Sequence, residues 1–582
     1  MDGNKRHLLS WKFFTTLTNK KAFLIIFILG IIVFSNSIFN NFIGDDFFQI
    51  VNNIPVHSIK NIPTFFTGGT FYSGEAQRQV GVYYKPLLNI IFSLIYTIFG
   101  PSVYPFHLFQ IFLHILNACL LFLFLKHFFK KPLSLILSLI FLVHPINSEA
   151  VFYISGTQEP LFFFFGILAL LILSNSESKK YLLFSGVLLF LSLLSKETGI
   201  LFFFVALVYT FIFNRKSFLA LLGLSIAPVI FYFLLRTNAV GIFTAPSSSS
   251  IAKLTLLGRF LNMPAMMFFY IKTFLFPLNL AYFYQWVYKQ ASFSHFVSPL
   301  IIDFGFLVTL LYFAVIIFKR HLQRFFMIYT IFGLWFLIGL LFHLQILPLD
   351  LTVSERWFYF PVVGLVGMIG VLLEVFHFNF KNNWVLSIAI LILVLLSVRT
   401  FIRSFDWRDE FKLDTHDVKV SKDSYALENG ITVELTRRGQ FEEAKQHAER
   451  SIQIFPHSFN YTNLGNVYFA LGDYKKAREA YLKAIEFGDN YYGAYENLAL
   501  LGLVSGDFHE NIDFIEQAIK KFPQDAKLWL SLAILKYNNK DIDGAKTAIA
   551  NAYTYDKNSE TVYFYNQIMS DQPLDLHFNI GK

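Results

Sequence analysis

The chain has a single cysteine in 582 residues, Cys119, and it lies inside an apolar run. This excludes a disulfide framework and a cysteine metal site, and Cys119 reads as a small buried hydrophobe. Charge is scarce as well: Asp, Glu, Lys and Arg together make up 15% of the residues. Against 55% hydrophobic residues and a mean hydropathy of +0.51, so little charge excludes a soluble globular protein. Many apolar runs of ~20 residues identify a polytopic membrane protein instead. The 73 Phe and 29 Tyr fit a lipid-facing surface with interfacial aromatic belts. The net charge of +9 is no sign of a nucleic-acid partner, since much of it sits in short loops, where it reports orientation. No small-residue cleavage site follows the basic head Lys5, Arg6, Lys12, Lys20, Lys21. Residues 22–39 are therefore expected to be retained as the first span.

The apolar pattern predicts about eleven spans, near 22–39, 103–126, 132–148, 158–174, 180–195, 199–213, 217–235, 300–318, 325–342, 357–376 and 384–402. Several are shorter than the ~20 residues of a perpendicular crossing, which implies tilt or local bilayer thinning. Basic clusters at Lys20-Lys21, Lys126 with Lys130-Lys131, Lys179-Lys180, Arg215-Lys216, Lys319-Arg320 with Arg324, and Lys381 assign those loops to the cytoplasm. Parity then lays Pro86 to Phe99 and Phe260 to Leu280 on the outer face as interfacial helices. It also makes the N-terminus cytoplasmic and everything after residue 402 extracytoplasmic.

Composition breaks at Arg403-Ser404-Phe405-Asp406-Trp407-Arg408, so 1–402 reads as a membrane domain, 403–424 as a linker helix and 425–582 as a soluble tail. The tail repeats every ~34 residues. Tyr461, Leu464, Gly465, Tyr468, Gly472, Ala477, Tyr481 and Ala484 form one unit. Tyr495, Leu498, Ala499, Gly506, Ala518 and Pro523 form the next, Trp529, Leu532, Ala533, Ala545 and Ile549 a third, and Gly439, Phe441, Ala444 and Pro456 mark an earlier one. This resembles the tetratricopeptide repeat: small residues let two helices approach, and large ones pack on the next hairpin. These residues are core, and the function of such a tail lies in what its groove binds.

The candidate chemistry is carried by polar residues between the spans. Asp45-Asp46 follows the first span, where the bland alternative is a capped loop helix. A loop of about 38 residues with Glu75 and Arg78 then leads to Tyr83-Tyr84-Lys85-Pro86. Lys85 either snorkels to headgroups or holds a lipid phosphate. His144-Pro145 and Glu149 end the third span, and an intramembrane carboxylate there should face a polar cavity. Lys196-Glu197 interrupts one long apolar run, either as a simple ion pair or as part of a site. Glu355 and Arg356 precede another span, and Arg356 offers a planar fork suited to phosphate. Orientation puts Asp45, Asp46, Lys85, Glu149, Lys196, Glu197, Glu355 and Arg356 on one side of the membrane. Carboxylates and cations meeting at headgroup depth describe a site that holds a phosphate-bearing lipid and deprotonates something beside it.

Asn41-Phe42-Ile43-Gly44-Asp45-Asp46, Tyr84-Lys85-Pro86-Leu87, Phe106-His107 with His114 to Asn117, His144-Pro145 with Glu149, Lys196-Glu197-Thr198-Gly199, and Glu355-Arg356 with Tyr359-Phe360-Pro361 follow one another in this chain. That order resembles the transmembrane and tetratricopeptide repeat-containing protein O-mannosyltransferases, over nearly the whole chain. The resemblance implies an all-α fold: a polytopic GT-C helical bundle followed by a short tetratricopeptide α-solenoid. It further implies transfer of a sugar, mannose, from a polyprenyl-phosphate donor to Ser or Thr hydroxyls, with inversion. Asp45 or Asp46 would be the general base, Lys85, Lys196 and Arg356 would bind the donor phosphate, and His144, Glu149, Glu197 and Glu355 would position sugar or acceptor. A divalent metal is left open, and the repeat groove would bind a protein acceptor or partner. The chain departs from the family at Lys85, where arginine is usual, and at Thr157-Gln158-Glu159, where an Arg-Ala-Asp-like triplet is usual. In a prokaryote the compartment would be the plasma membrane. The rivals are a non-catalytic membrane scaffold displaying the repeats, a GT-C transferase acting on a lipid or glycan acceptor, and a flippase or polymerase of polyprenyl-linked glycans. The last predicts polar residues deep within several spans.

Overall fold

The computed structural model describes residues 17–73, 78–80, 82–176, 178–242, 249–378, 382–488, 492–505 and 508–574. Lys5, Arg6, Lys12, Glu75, Lys381 and Gly506, and the side chain of Arg78, lie outside the described residues. The chain divides into two compact units, Met1–Tyr72 with Arg78–Val420 and Ser73–Gln77 with Ser421–Lys582.

The first unit is built from α1 (Asn19–Phe34), α2 (Pro86–Phe99), α3 (Tyr104–Leu125), α4 (Lys131–Val143), α5 (Ser148–Phe152), α6 (Gln158–Asn175), α7 (Lys179–Ser195) and α8 (Ile200–Phe213). It continues through α9 (Arg215–Val240), α10 (Leu256–Leu275), α11 (Ser298–Lys319), α12 (Gln323–Leu341), α13 (Pro361–Val375), α14 (Asn383–Arg403) and α15 (Glu410–Asp417). Among the described residues the only strands are the paired three-residue β1 (Phe71–Ser73) and β2 (Arg78–Val80). Each of the eleven apolar intervals holds a helix. By length and composition, however, seven helices among the described residues suit a membrane crossing, or eight if the pair bent by 50° between Val143 and Pro145 is one span. The shortfall from eleven has a local cause. Pro145 breaks one run and the Lys196 corner another, leaving helices such as α8 too short for a perpendicular crossing. α11 is apolar yet buries only Pro299, Asp303 and Ile317 of its 22 residues, the profile of a helix that faces lipid.

The two ends of this unit differ. At one, Lys126 Nζ donates to Asn19 Oδ1 (2.9 Å) and Arg324 to the His127 carbonyl (3.3 Å). At the other, Asn41 N–H donates to the Arg408 carbonyl (3.0 Å), and Arg403 forks onto Asp417 at 2.7 and 2.8 Å. Tyr282 hydroxyl donates to Asp414 (2.8 Å). These bonds tie the stretch after residue 402 to the bundle, and the first compact unit runs to Val420.

Polar groups inside the bundle are paired around Tyr359. His114 Nε2–H donates to the Leu142 carbonyl (2.9 Å), so its Nδ1 accepts from Tyr359 hydroxyl (2.7 Å). Asn117 donates to the same hydroxyl (3.1 Å) and to the Pro160 carbonyl (2.8 Å). These bonds pair both ring nitrogens of His114, the Tyr359 hydroxyl and the Asn117 NH₂, which lowers the cost of burying them in an apolar interior, while Asn117 Oδ1 is buried without a partner. The helices α12 and α13 approach closely because Gly364 leaves room: a Cβ there would lie 2.5 Å from the Phe336 nitrogen.

The second unit consists of helical hairpins α16 (Tyr425–Arg437) with α17 (Phe441–Ile454), α18 (Ser458–Ala470) with α19 (Tyr474–Phe487), α20 (Tyr492–Ser505) with α21 (Phe508–Lys521) and α22 (Ala526–Asn538) with α23 (Ile542–Tyr555). The helix α24 (Ser559–Met569) follows them. The repeat spacing is explained by packing: a Cβ on Gly465 would lie 2.3 Å from the Tyr481 ring of the partner helix.

Candidate active site

The first unit holds a partly open cavity lined by charged and aromatic side chains. Asp45 reaches it from the turn after the first span. Gly44 takes φ +51°, which glycine adopts without strain, and the Asp45 N–H donates to the Tyr153 hydroxyl (3.0 Å). Asp46 points the other way. Its Oδ1 accepts from Ser155 N–H (2.7 Å) and Ser155 hydroxyl (2.6 Å), and its Oδ2 from Ile43 N–H (3.0 Å). Asp46 thus clamps two loops, and of the two adjacent carboxylates only Asp45 lines the cavity.

Three cations line the same space: Lys85, Lys196 and Arg356. They differ in their partners. Lys196 is paired with Glu159 at the start of α6, and Arg356 with Glu149. Lys85 has no carboxylate at ion-pair distance among the described residues, and its ammonium lies 4.6 Å from the Tyr83 ring centroid. The segment that carries it is fastened from α9: Arg236 donates to the Val82 carbonyl (3.4 Å) and Tyr232 hydroxyl to the Tyr84 carbonyl (3.3 Å). The Arg356 Nε is also buried without a partner. An ammonium without an ion-pair partner and a guanidinium N–H without an acceptor thus meet at one cavity, the donor types that suit an anion.

Burial raises Asp45 above its ordinary 3.8, opposed chiefly by Arg356 and reinforced by the neighbouring Asp350. Burial also pushes Asp46 up to about 7, against the pull of its Ser155 and Ile43 donors. Lys85 is pushed down to about 8, first by burial and then by Lys196 and Arg356. For Arg356 burial acts downwards, but Glu149 and Asp350 outweigh it and raise the guanidinium further.

Of the remaining residues read from the sequence, Glu149, Glu355 and His144 lie away from the cavity and Glu197 lines it. Glu149 is fully buried, holding Arg356 by its side chain and by its N–H (2.9 Å) while accepting from Ser354 hydroxyl (2.9 Å). It stands behind the cation and not at the cavity. Glu355 turns towards residues 281–284, accepting from Ala281 N–H and Tyr284 hydroxyl, both at 2.8 Å. His144 donates to the Phe274 carbonyl (2.9 Å) and accepts from Ile146 N–H (3.2 Å), capping the turn between α4 and α5. Glu197 lines the cavity but is paired with Arg236 (2.7 Å), so the adjacent Lys196 and Glu197 each bind a different distant residue. Sequence reading gave no role to Glu159, Arg236, Tyr153 or Asp350. Arg236 carried a signal, an arginine inside an apolar run; Tyr153 carried none. Among the described residues no group of three or more His, Cys, Asp and Glu is placed to hold a metal ion. The cavity carboxylates Asp45, Glu197 and Asp350 are interleaved with cations, which is no donor set for a divalent ion.

These features define an all-α polytopic membrane protein with a charged cavity at one end of its bundle and a tail of tetratricopeptide repeats. Residues 85–236 match the family described as dolichyl-phosphate-mannose-protein mannosyltransferase, and residues 461–491 match the tetratricopeptide repeat. The chain is similar to the protein O-mannosyl-transferase TMTC3 of Homo sapiens, 24% identical over 605 residues, covering 92% of this chain and 64% of that one. It is also similar to the protein O-mannosyl-transferase F38B6.6 of Caenorhabditis elegans, 25% identical over 447 residues, covering 74% and 62%. The chain thus spans just under two thirds of the length of these relatives. Among solved structures, the oligosaccharyltransferase of Archaeoglobus fulgidus with a tethered acceptor peptide aligns at 14% identity and a TM-score of 0.36, covering 74% of this chain and 59% of that one.

Proposed function

We propose that this protein is a membrane glycosyltransferase of the GT-C type, moving a hexosyl group, mannose, from a polyprenyl phosphate to Ser or Thr hydroxyls of proteins at the extracytoplasmic face. The observation that carries this reading is the meeting, at one cavity, of the Asp45 carboxylate with the unpaired Lys85 ammonium and the free Nε of Arg356. In the reaction the acceptor oxygen forms a bond to the anomeric carbon as the carbon–phosphate oxygen bond breaks. The bonding pair leaves with the polyprenyl phosphate, and the hydroxyl proton passes to Asp45. Attack from the face opposite the phosphate inverts the configuration. Asp45 is the general base, and Lys85 and Arg356 stabilise the charge that develops on the leaving phosphate. Lys196 adds positive potential while tied to Glu159. The repeats fit a role in gathering a protein acceptor, raising its concentration near the membrane unit, and the basic loops support the assigned orientation.

The test is transfer of radiolabelled sugar from polyprenyl-phosphate-mannose to proteins in membranes that contain or lack the chain. Label that depends on the chain and ends on Ser or Thr is expected; label found only on lipid or glycan would overturn the protein-acceptor reading.

The rate should also show a two-sided pH dependence. Asp45 must be ionised, so kcat/KM is expected to fall on acidification, at a pH above the 3.8 of an ordinary aspartate. Lys85 must be charged, so kcat/KM should fall as pH rises through about 8. Lys85→Arg, whose guanidinium stays charged, should remove the alkaline limb, and an unchanged limb would show that another group sets it.

A further inference from the structure

The cavity contains more polar groups than a phosphate accounts for. Gln49 Oε1, Gln158 Oε1, Thr198 Oγ1 and His343 Nε2 are each buried without a partner, and all four residues line it. They are between 2% and 6% exposed. Buried polar atoms are normally bonded, so several orphans around one space mark where ligand atoms belong.

Their chemistry narrows the ligand. His343 Nδ1–H donates to the Gly339 carbonyl (2.8 Å), which leaves Nε2 as a lone-pair acceptor. The two glutamine oxygens are acceptors, and so is the carboxylate of Asp350, which lines the same cavity and to which Tyr83 presents its hydroxyl. A phosphate diester has no hydrogen to offer such a set. Ring hydroxyls do, and each can also accept from a neighbour such as Thr198. Beside them the Trp357 indole, stacked on His343 at 5.4 Å and 19°, gives the cavity a flat aromatic wall of the sort that takes the face of a pyranose.

We infer that Gln49, Gln158, His343 and Asp350, with Trp357 as the wall, form a hexose-recognition subsite distinct from the anion subsite of Lys85 and Arg356. This rests on the polyprenyl-phosphate-sugar reading above and adds where the sugar is read. The phosphate determines that a donor binds, and the acceptor-rich wall determines which sugar it carries.

The experiment is a binding measurement on the purified full-length chain. Labelled farnesyl phosphate is displaced by unlabelled farnesyl phosphate and by its mannosyl and glucosyl esters. Wild type should bind the mannosyl ester more tightly than the sugar-free phosphate. His343→Phe keeps the stacking on Trp357 and removes the acceptor, and Gln158→Met keeps the length and removes the amide. Each should lower the ester's advantage by about tenfold, the cost of leaving a ligand hydroxyl unpaired. Their binding of farnesyl phosphate itself should stay within about twofold, which also reports that they are folded. Lys85→Met should weaken all ligands together. Parallel weakening in His343→Phe and Gln158→Met, or no weakening in either, overturns the subsite. If wild type binds farnesyl phosphate but gains nothing from a sugar, this inference alone fails; if it binds neither, the donor reading fails with it.

Discussion

Asp45→Asn is expected to abolish sugar transfer while leaving the protein folded and able to bind its donor. The substitution keeps the shape of the side chain and its contact with Tyr153 but removes the proton acceptor at the cavity. A positioned general base contributes roughly 10²–10⁴ in rate, and the other two cavity carboxylates are engaged, Glu197 by Arg236 and Asp350 by the Tyr83 hydroxyl. A fall of about 10³, or ~4 kcal/mol in barrier, is the expected size. Asp46→Asn is the informative contrast. Asp46 accepts three hydrogen bonds from two loops, and an amide NH₂ would face an N–H or O–H donor at one of them. The expected result is a loss of about 1–3 kcal/mol in stability with near-normal turnover per folded molecule. Both variants are compared by transfer assay at equal amounts of monodisperse protein. Equal loss in the two would mean that the clamp, and not proton transfer, accounts for the requirement.

Glu149→Ala should have the largest effect on stability. The carboxylate is fully buried and carries Arg356 through side chain and backbone, together with Ser354. Its removal leaves a guanidinium, itself only 9% exposed, without a counter-ion. Breaking one partner of such a pair costs about 3–5 kcal/mol, enough to prevent accumulation of a marginally stable protein. Glu149→Gln retains the hydrogen-bond geometry without the charge. It should fold, lose thermal stability and raise the KM for the donor, because Arg356 is no longer held in position. Thermal unfolding of the purified variant and donor titration measure the two effects. A lowered kcat with unchanged KM and unchanged stability would instead assign Glu149 a direct contact with the reacting groups.

The sequence by itself determined the class of this protein. Hydropathy and sparse charge required a membrane bundle, because apolar runs of ~20 residues have no other stable solvent. Each apolar interval holds a helix, since only helix satisfies the backbone of such a run. The repeat tail was legible from its spacing: Gly465 must be small because the Tyr481 ring lies against it. These features are local, set by periods of a few residues, and a linear reading recovers them. What only the tertiary structure decided is direction. Asp45 and Asp46 are neighbours, yet one faces the cavity and the other is turned away by Ser155, 109 residues along the chain. Lys196 and Glu197 are neighbours, yet their partners are Glu159 and Arg236. Glu149 and Glu355 shared a side of the membrane with Arg356, but one holds it and the other looks to Tyr284. Such side chains sit on turns and short irregular segments, where no helical period fixes where a side chain points. Hydrogen bonds from distant parts of the chain set their direction, and those partners exist only once the bundle has assembled.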